Sequence, residues 1–468
     1  MKFILNILTC ICILLLSACT PKTTPPSKLR SLQINKGSTV NLAQVLWWKK
    51  IHDPVLNSLI AEALKNNNQI LASQAKVLQA QAQLKASYNA WLPTVNASAN
   101  GLLIKGWDTN LRPQGPLVTS PAVLAFNNIK INGEYSGFVP SYSLNLLENM
   151  NNNRLAKASL AMQQATHMAL RLSIISQTTG AYFTLLGQKQ QLREQENLIH
   201  DLKRLRHLEK VRYKDGASDY SALANIDQEI ANNKASLSAL QSSIRQVENS
   251  LQLLIDHAPG RITSQASLNK INIKNIIPSH IPAQVLVNRP DIIIAKENLI
   301  SSDAHLGLAY AQFFPQISLT GLLGGSSVEL VHLLRLTTGL GIVQIAAMMP
   351  IFNSALYQQI QAAKASVKAE YYNYIQTLRA ALIDVDTSLT KHQKANEAYG
   401  HQLQAYKSAY RGYRILSARY RAGFQDRRAA MNAQIQVDQA KISLTQAKME
   451  QLNTLVSAYQ ALAAGYLD

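Results

Sequence analysis

Cysteine is nearly absent from this chain: three residues in 468. Cys10 and Cys12 fall inside an apolar N-terminal stretch that reads as a leader removed on export, so Cys19 is the only thiol expected in the mature chain. That excludes a disulfide scaffold, a thiolate metal site and a catalytic cysteine. Charge is scarce too, at 16% Asp, Glu, Lys and Arg, against about a quarter in ordinary globular proteins. Beyond the leader no uninterrupted run of about 18 apolar residues occurs, which excludes a membrane-spanning helix. Gly-rich phosphate loops, His-Glu-x-x-His and Gly-x-Ser-x-Gly are all missing. His167, His200, His207 and His257 are scattered without metal-ligand spacing and are expected at exposed helix positions. Asp384 and Asp386 lie two apart on a helix and point to different faces, a poor acid/base pair. Neither an enzyme activity nor a cofactor or metal is expected.

What is present begins at the N-terminus. Met1 to Leu15 supplies a basic start at Lys2 and a short apolar run, ending in Leu16-Ser17-Ala18-Cys19. The run is too short, and too soon followed by Pro21 and a Thr/Pro-rich tract, to remain as a spanning helix. Leu-Ser-Ala before Cys fits the pattern of bacterial lipoprotein processing, in which the cysteine becomes a lipidated N-terminus; the plainer alternative is a cleaved leader with an incidental Cys. Acyl chains on Cys19 would anchor without spanning, at about 0.8 kcal/mol per buried methylene. Thr20 after the cysteine favours the outer membrane, as in bacterial lipoproteins generally.

The net charge is +19. Such a balance usually prompts a nucleic-acid reading, which an exported lipoprotein does not support. Lys and Arg are spread along helical segments with no single aromatic-laced patch. Anionic lipid or anionic solutes suit the charge better.

The chain also repeats itself. Ala82, Leu84, Tyr88 and Pro93 recur as Ala304, Leu306, Tyr310 and Pro315, an offset of 222. Ala156-Lys157-Ala158-Ser159 recurs as Ala363-Lys364-Ala365-Ser366, and Arg212-Tyr213-Lys214-Asp215-Gly216 as Arg419-Tyr420-Arg421-Ala422-Gly423, at 207. Asn225 and Leu237 recur as Asn432 and Leu444 at the same offset. A long period of this kind means two copies of one unit. The difference places an enlarged loop, rich in Gly and Pro, near residues 101–131 of the first copy.

Each copy reads as helix, strand pair, long helix, turn, helix. Leu223, Ile226, Ile230, Asn233, Leu237, Leu240, Ile244, Val247, Leu251 and Leu254 step by three and four, a helix-packing seam with one polar break at Asn233. The second copy carries Ala430, Ala433, Val437, Ala440, Leu444 and Ala447, with Ile435, Ile442, Met449 and Leu452 on an adjacent face. Two stripes predict neighbours on two sides. After Pro93 and after Pro315 the period becomes two: Val95, Ala97, Ala99 alternate with polar residues, as do Ile317, Leu319, Gly321, Leu323. Gly339 to Phe352 reads as the return strand of the second hairpin. Such strands suit a membrane barrel or a half-buried soluble sheet. Two hairpins give four strands, a closed barrel needs about eight, and an open edge cannot face lipid. Copies must therefore combine, and three give twelve strands.

Trp47-Trp48, Asp53-Pro54-Val55-Leu56, Arg289-Pro290-Asp291-Ile292, Ala311-Gln312-Phe313-Phe314-Pro315-Gln316-Ile317-Ser318-Leu319-Thr320-Gly321, Arg419-Tyr420-Arg421-Ala422-Gly423 and Tyr459-Gln460-Ala461-Leu462 occur in that order. Together they resemble the TolC-like outer-membrane efflux family, in particular its NodT-type lipoprotein branch serving resistance-nodulation-division pumps. The fold class implied is mainly α with membrane β: a long α-helical barrel plus a 12-stranded β-barrel formed by a homotrimer, four strands per chain, with an internal two-fold repeat. The expected division is 1–18 signal peptide, 19–52 lipidated linker, 53–257 first repeat, 258–288 equatorial linker and 289–468 second repeat. The resemblance implies an outer-membrane exit duct, lipid-anchored at Cys19 and extending into the periplasm. A periplasmic adaptor and an inner-membrane pump would be its partners. Arg212, Tyr213, Gly216, Arg419, Tyr420 and Gly423 carry over as helix-tip and adaptor-contact positions. Asn225 and Asn432 occupy the periplasmic aperture, where family members often carry Asp, so the mouth is expected to be neutral to positive. Asn145-Leu146-Leu147-Glu148-Asn149 departs from the family's Asp-aromatic-Gly run into the long helix. Within the same fold a type I protein-secretion exit remains open, and outside it a structural envelope lipoprotein without a bore.

Overall fold

The computed structural model describes residues 45–105, 130–263, 266, 268, 271, 288–327 and 339–466. Cys19, the leader and most of the enlarged loop lie outside the described residues. A 3-10 turn (Trp47–Ile51) precedes α1 (Pro54–Asn66) and α2 (Asn68–Asn89), then β1 (Thr94–Lys105) and β2 (Lys130–Ser143). There follow α3 (Leu146–Lys214), α4 (Tyr220–Leu254), α5 (Pro290–Ala311), β3 (Gln316–Ser327), β4 (Gly339–Met348), α6 (Ser354–Arg421) and α7 (Arg427–Ala461).

Two helices set the length. α3 has 69 residues and α6 has 68, each about 100 Å at 1.5 Å per residue. α3 packs against α4 towards its C-terminal end and against α2 towards the sheet; α6 does the same with α7 and α5. The short helices meet nearly end to end. Asn67 caps α2, accepting from the Gln69 and Ile70 amides at 3.0 and 3.3 Å, and its Nδ2 donates to the Leu254 carbonyl closing α4, at 2.9 Å. Arg289, at the N-cap of α5, donates from its guanidinium to the Ala461 carbonyl that closes α7. A C-terminal helix carbonyl has no partner within its own helix, and here the next helix supplies one. Asn67 and Arg289 lie 222 residues apart, Leu254 and Ala461 lie 207 apart, the same two offsets at which the sequence motifs recur.

The main core sits at this junction level. Trp47 stacks on Tyr459 with ring centroids 4.5 Å apart and meets Trp48 edge-on. Asp53 caps α1, accepting from the Val55 amide at 2.9 Å, while Tyr182 Oη donates to its other oxygen at 2.7 Å. Leu56, Ile60, Phe183, Leu185, Leu251 and Leu455 fill the space between, joined by Ile262, Leu268 and Ile271 from the expected linker 258–288. Each such side chain contributes about 1.5–3 kcal/mol on burial. Towards the turns a second cluster joins Leu198, Leu202 and Leu205 of α3 to Ile226 and Ile230 of α4 and Ile435 of α7. The polar break at Asn233 is matched: Gln195 Nε2 donates to its Oδ1 at 2.6 Å. α7 lies between α3 and α6 and buries residues from both of its predicted stripes, whereas among the described residues α4 packs mainly on α3.

The strands form one antiparallel sheet in the order β1-β2-β3-β4. The pairs Val95↔Pro140, Phe138↔Leu323 and Leu319↔Ile345 put the alternating apolar residues on one face. Val95, Phe138, Ile317, Leu319, Leu323, Val343 and Ile345 are all exposed there.

At this level one reading of an individual residue changes. His167 is half-buried, with Nδ1 2.7 Å from Ser73 Oγ, and burial together with Arg171 lowers its pKa; His200, His207 and His257 are exposed as expected. The helix-start residue Asn145 makes no capping bond, and its amide turns instead to Glu148 Oε2 at 3.0 Å. Asn353, at the matching start of α6, caps normally.

Candidate functional site

The turns at the far end of the helices are built alike. At the end of α3 the Gly216 amide donates to Tyr213 O (3.1 Å) and the Ala217 amide to Arg212 O (2.8 Å). At the end of α6 the Gly423 amide donates to Tyr420 O (3.0 Å) and the Phe424 amide to Arg419 O (2.9 Å). This reversal places the residue after the cap in the left-handed region, and Gly216 and Gly423 have φ of +72° and +80°. Asp219 and Asp426 then cap the returning helices through the Ser221 and Arg428 amides. Tyr213, Tyr420 and Phe424 are exposed, with Tyr213 edge-on to Tyr220 at 5.9 Å.

Of the six tip residues read from sequence, five lie at the turn surfaces. Arg212 is engaged inward: its Nη1 is 3.1 Å from Asp426 Oδ2 and 3.6 Å from Glu209 Oε1. Glu209 is fully buried, 2.9 Å from Arg428 Nε, and accepts from Ser218 Oγ at 2.8 Å. A buried carboxylate requires such compensation, so Arg212 and Arg428 tie the first turn to the second. Arg206 and Asp227 form a two-pronged pair between α3 and α4, one arm at 2.9 Å, and the guanidinium holds the Asp227 carboxyl below its usual pKa range. Asn225 and Asn432 each sit on the second turn of their helix, exposed. Lys214, Arg421, Arg427 and Arg428 lie nearby in sequence, together with Asp215, Asp219 and Asp426 of the turns.

Several functional candidates escaped the sequence reading because a charged residue inside a seam looks like one on a solvated face. Glu194 of α3 is buried, and burial raises its pKa against the bonds it accepts from Gln190 and Thr445. Lys448 of α7 is buried beside Gln451 (3.0 Å) and over the Tyr399 ring (5.0 Å), and burial pushes its pKa down to about 8. Asp438 of α7 is buried next to Asp201. Asp384, dismissed as half of an acid/base pair, receives Arg289 Nη1 at 3.1 Å. Among the described residues no group of three or more His, Cys, Asp or Glu could hold a metal ion, and no helix is long and apolar enough to cross a membrane.

The cation efflux system protein CusC of Escherichia coli O6:H1 is 25% identical over 448 residues, covering 93% of each chain. The probable outer membrane lipoprotein SilC of Salmonella typhimurium is 26% identical over 403 residues, 83% of each. In fold, the chain is similar to the crystal structure of the Campylobacter jejuni CmeC outer membrane channel, with a TM-score of 0.77, 24% identity, and 90% and 88% of the two chains covered. A family model described as outer membrane efflux protein matches residues 59–257 and 281–464. Two long helices, a four-stranded sheet and that match over most of the chain make it a member of the outer membrane efflux protein family.

Proposed function

We propose that the chain assembles as a homotrimer and serves as the exit duct of a tripartite efflux system, passing small solutes out through the outer membrane. The observation that carries this reading is the sheet. One face is apolar and exposed, and β1 and β4 each have an unpaired edge. Lipid accepts the face but rejects the edges, which need partner strands. Three copies joined edge to edge give twelve strands, and the paired helices below continue the wall as an α-helical barrel. The two-fold internal repeat is supported by the matching junctions and turns at offsets of 222 and 207, and the division at 53–257, 258–288 and 289–468 follows from it.

Cys19 is the lipid anchor, in keeping with the name of the SilC relative. Tyr213, Gly216, Arg419, Tyr420 and Gly423 form the surface met by a periplasmic adaptor, and Arg212 shapes it from within. An inner-membrane pump, of the resistance-nodulation-division type, supplies substrate and energy, as the resemblance to the NodT-type branch implies. Asn225 and Asn432 line the aperture at the periplasmic end.

Mass measurement of the full chain in detergent, conductance in planar bilayers, and a deletion strain tested against antibiotics, dyes, metals and protein export check the reading. A trimer with stable conductance and a strain sensitised to small toxic solutes is the expected result. A monomer or a non-conducting trimer would overturn the duct. Lost protein secretion with unchanged tolerance would replace efflux by type I secretion.

A further inference from the structure

The hairpins α3/α4 and α6/α7 are each joined through a turn, but α3 and α7 hold one another through side chains alone. Along that seam α3 presents Gly180, Gly187, Glu194 and Asp201, spaced by seven. The upper two permit close approach: a Cβ on Gly187 would lie 2.7 Å from Met449 Sδ, and one on Gly180 3.9 Å from Asn453 Oδ1. The lower two are acids. Glu194 is satisfied by Thr445 Oγ1 at 2.8 Å. Asp201 meets Asp438, which is only 3% exposed. Asp438 Oδ1 accepts from Gln434 Nε2 at 3.1 Å and lies 3.8 Å from Lys441 Nζ, but Oδ2 receives no donor. The Asp201 carboxylate is within hydrogen-bonding reach of Asp438 and is itself 3.3 Å from Arg204 Nη1. The groups that bear on Asp438 are thus Asp201, Gln434 and Lys441; α6, on the other side of α7, adds no charge that does. Two carboxylates in one dry seam cannot both ionise without cost, and the acceptor left without a donor is where a proton fits.

We propose that Asp201 and Asp438 share one proton, and that this proton latches the seam between the two hairpins. The inference rests on and deepens the duct reading, since this seam joins the first hairpin to the second in the half of the shaft nearer the turns. Burial and the Asp201 charge push the Asp438 pKa up to about 6. A carboxyl whose closed-state pKa is raised holds its proton better closed than parted. The latch is therefore complete below about pH 4, fades between about 4 and 6, and is gone above. In a neutral periplasm the seam is unlatched and ready to part; acid locks it.

Spin labels at Lys203→Cys and Gln436→Cys, both exposed positions flanking the pair, report the seam in the full-length protein by pulsed distance measurement from pH 4.5 to 7.5. A single short distance at pH 4.5 that lengthens and broadens by pH 7 is expected. Asp438→Asn, which supplies the missing donor permanently, should stay short throughout. Asp201→Asn does the same from the other side and carries the test if the first variant folds poorly. Identical distances at both ends of the range, or a pH response surviving in both variants, overturns the latch. Bilayer conductance across the same range separates the two claims. Absence of conductance at every pH counts against the duct, while the distances still decide the latch.

Discussion

Replacing Arg289 by Ala tests whether the end-to-end junctions hold the helical shaft together. The guanidinium makes two bonds to Asp291 (2.8 and 3.1 Å), one to Asp384 (3.1 Å) and one to the Ala461 carbonyl. Burial opposes its charge, but the two carboxylates outweigh that and raise its pKa. The parts are unequal. Asp291 and Asp384 are each about half exposed, 46% and 51%, so water replaces the arginine and each pair contributes only about 0–1 kcal/mol. Ala461 is buried, and its carbonyl left without a donor costs about 1–3 kcal/mol. Together the loss is about 1–5 kcal/mol, concentrated where α7 meets α5. Hydrogen exchange followed by mass spectrometry reads that directly. Protection in peptides spanning 288–295 and 455–466 should fall roughly 5- to 4,000-fold, at about tenfold per 1.4 kcal/mol, while peptides around 205–222 stay unchanged. Asn67→Ala removes a cap, about 1 kcal/mol, and the donor to Leu254, so the first junction should loosen by a similar amount. Protection at 288–295 and 455–466 unchanged within threefold would refute the claim that these side chains bind the helices end to end.

Gly216→Ala and Gly423→Ala each force a side chain into the left-handed region at about 1–2 kcal/mol. They should weaken site-specific cross-linking to the adaptor and drug tolerance while leaving the melting temperature of the assembly in place. Lys448→Met should stabilise the protein at pH 7 by on the order of 2 kcal/mol, because it removes a buried charge whose cost exceeds the ring contact it makes. Since the folded-state pKa lies near 8, below its unfolded value, the wild type gains stability as pH rises from about 8 to 10.5; the variant's advantage, followed by thermal melts against pH, should fade over that window. Asn432→Asp should move the zero-current potential in a salt gradient towards cation preference; an unchanged potential would remove Asn432 from the aperture.

Local chemistry was readable along the chain, and chemistry spread across it was not. Asp53 before Pro54 announces a helix start, and the structure puts it there. Alternation after Pro93 and Pro315 gives β1 and β3 on the expected faces, because period two survives any packing. Trp47 and Tyr459 were each singled out, yet nothing in the sequence says that they stack, since 412 residues separate them. The same holds for Arg289 and Ala461. At the tips, glycines with fixed φ are predictable from the reversal itself, but Arg212 reads as a contact residue because one of its partners, Asp426, lies 214 residues away, and the burial of the other, Glu209 on the same helix, has no sequence signal. His167 went astray for a related reason: a lone histidine on a helix shows no sign of the serine waiting on α2.

The distribution of charge gives these observations a common cause. Among the described residues α4 has α3 as its main neighbour, and its open surface carries Ala224, Asn225, Gln228, Ala231, Asn232, Ala235, Ser238, Ala239 and Ser242, with Glu229, Lys234 and Arg245 as the exposed charges between them. A helix facing bulk solvent on three sides is ordinarily studded with Lys and Glu. A surface of small uncharged groups instead suits close packing against another helix on one side and a wet, weakly interacting wall on the other. Four acids of the lower shaft, Glu194, Asp201, Asp438 and Glu209, lie inside the α3–α7 seam or beside it. There each must be matched by a donor, a cation or a proton. The cohesion of this seam can thus be changed by protonation or by competing charge; within the α3/α4 hairpin Arg206–Asp227 and Lys189–Glu248 are open to the same influence, while the apolar contacts of Leu198 and Leu202 against Ile226 and Ile230 stay indifferent to both. If the α3–α7 seam were repacked with leucine at Asp201 and Asp438, the shaft should become more stable and the turn end should stop responding to pH.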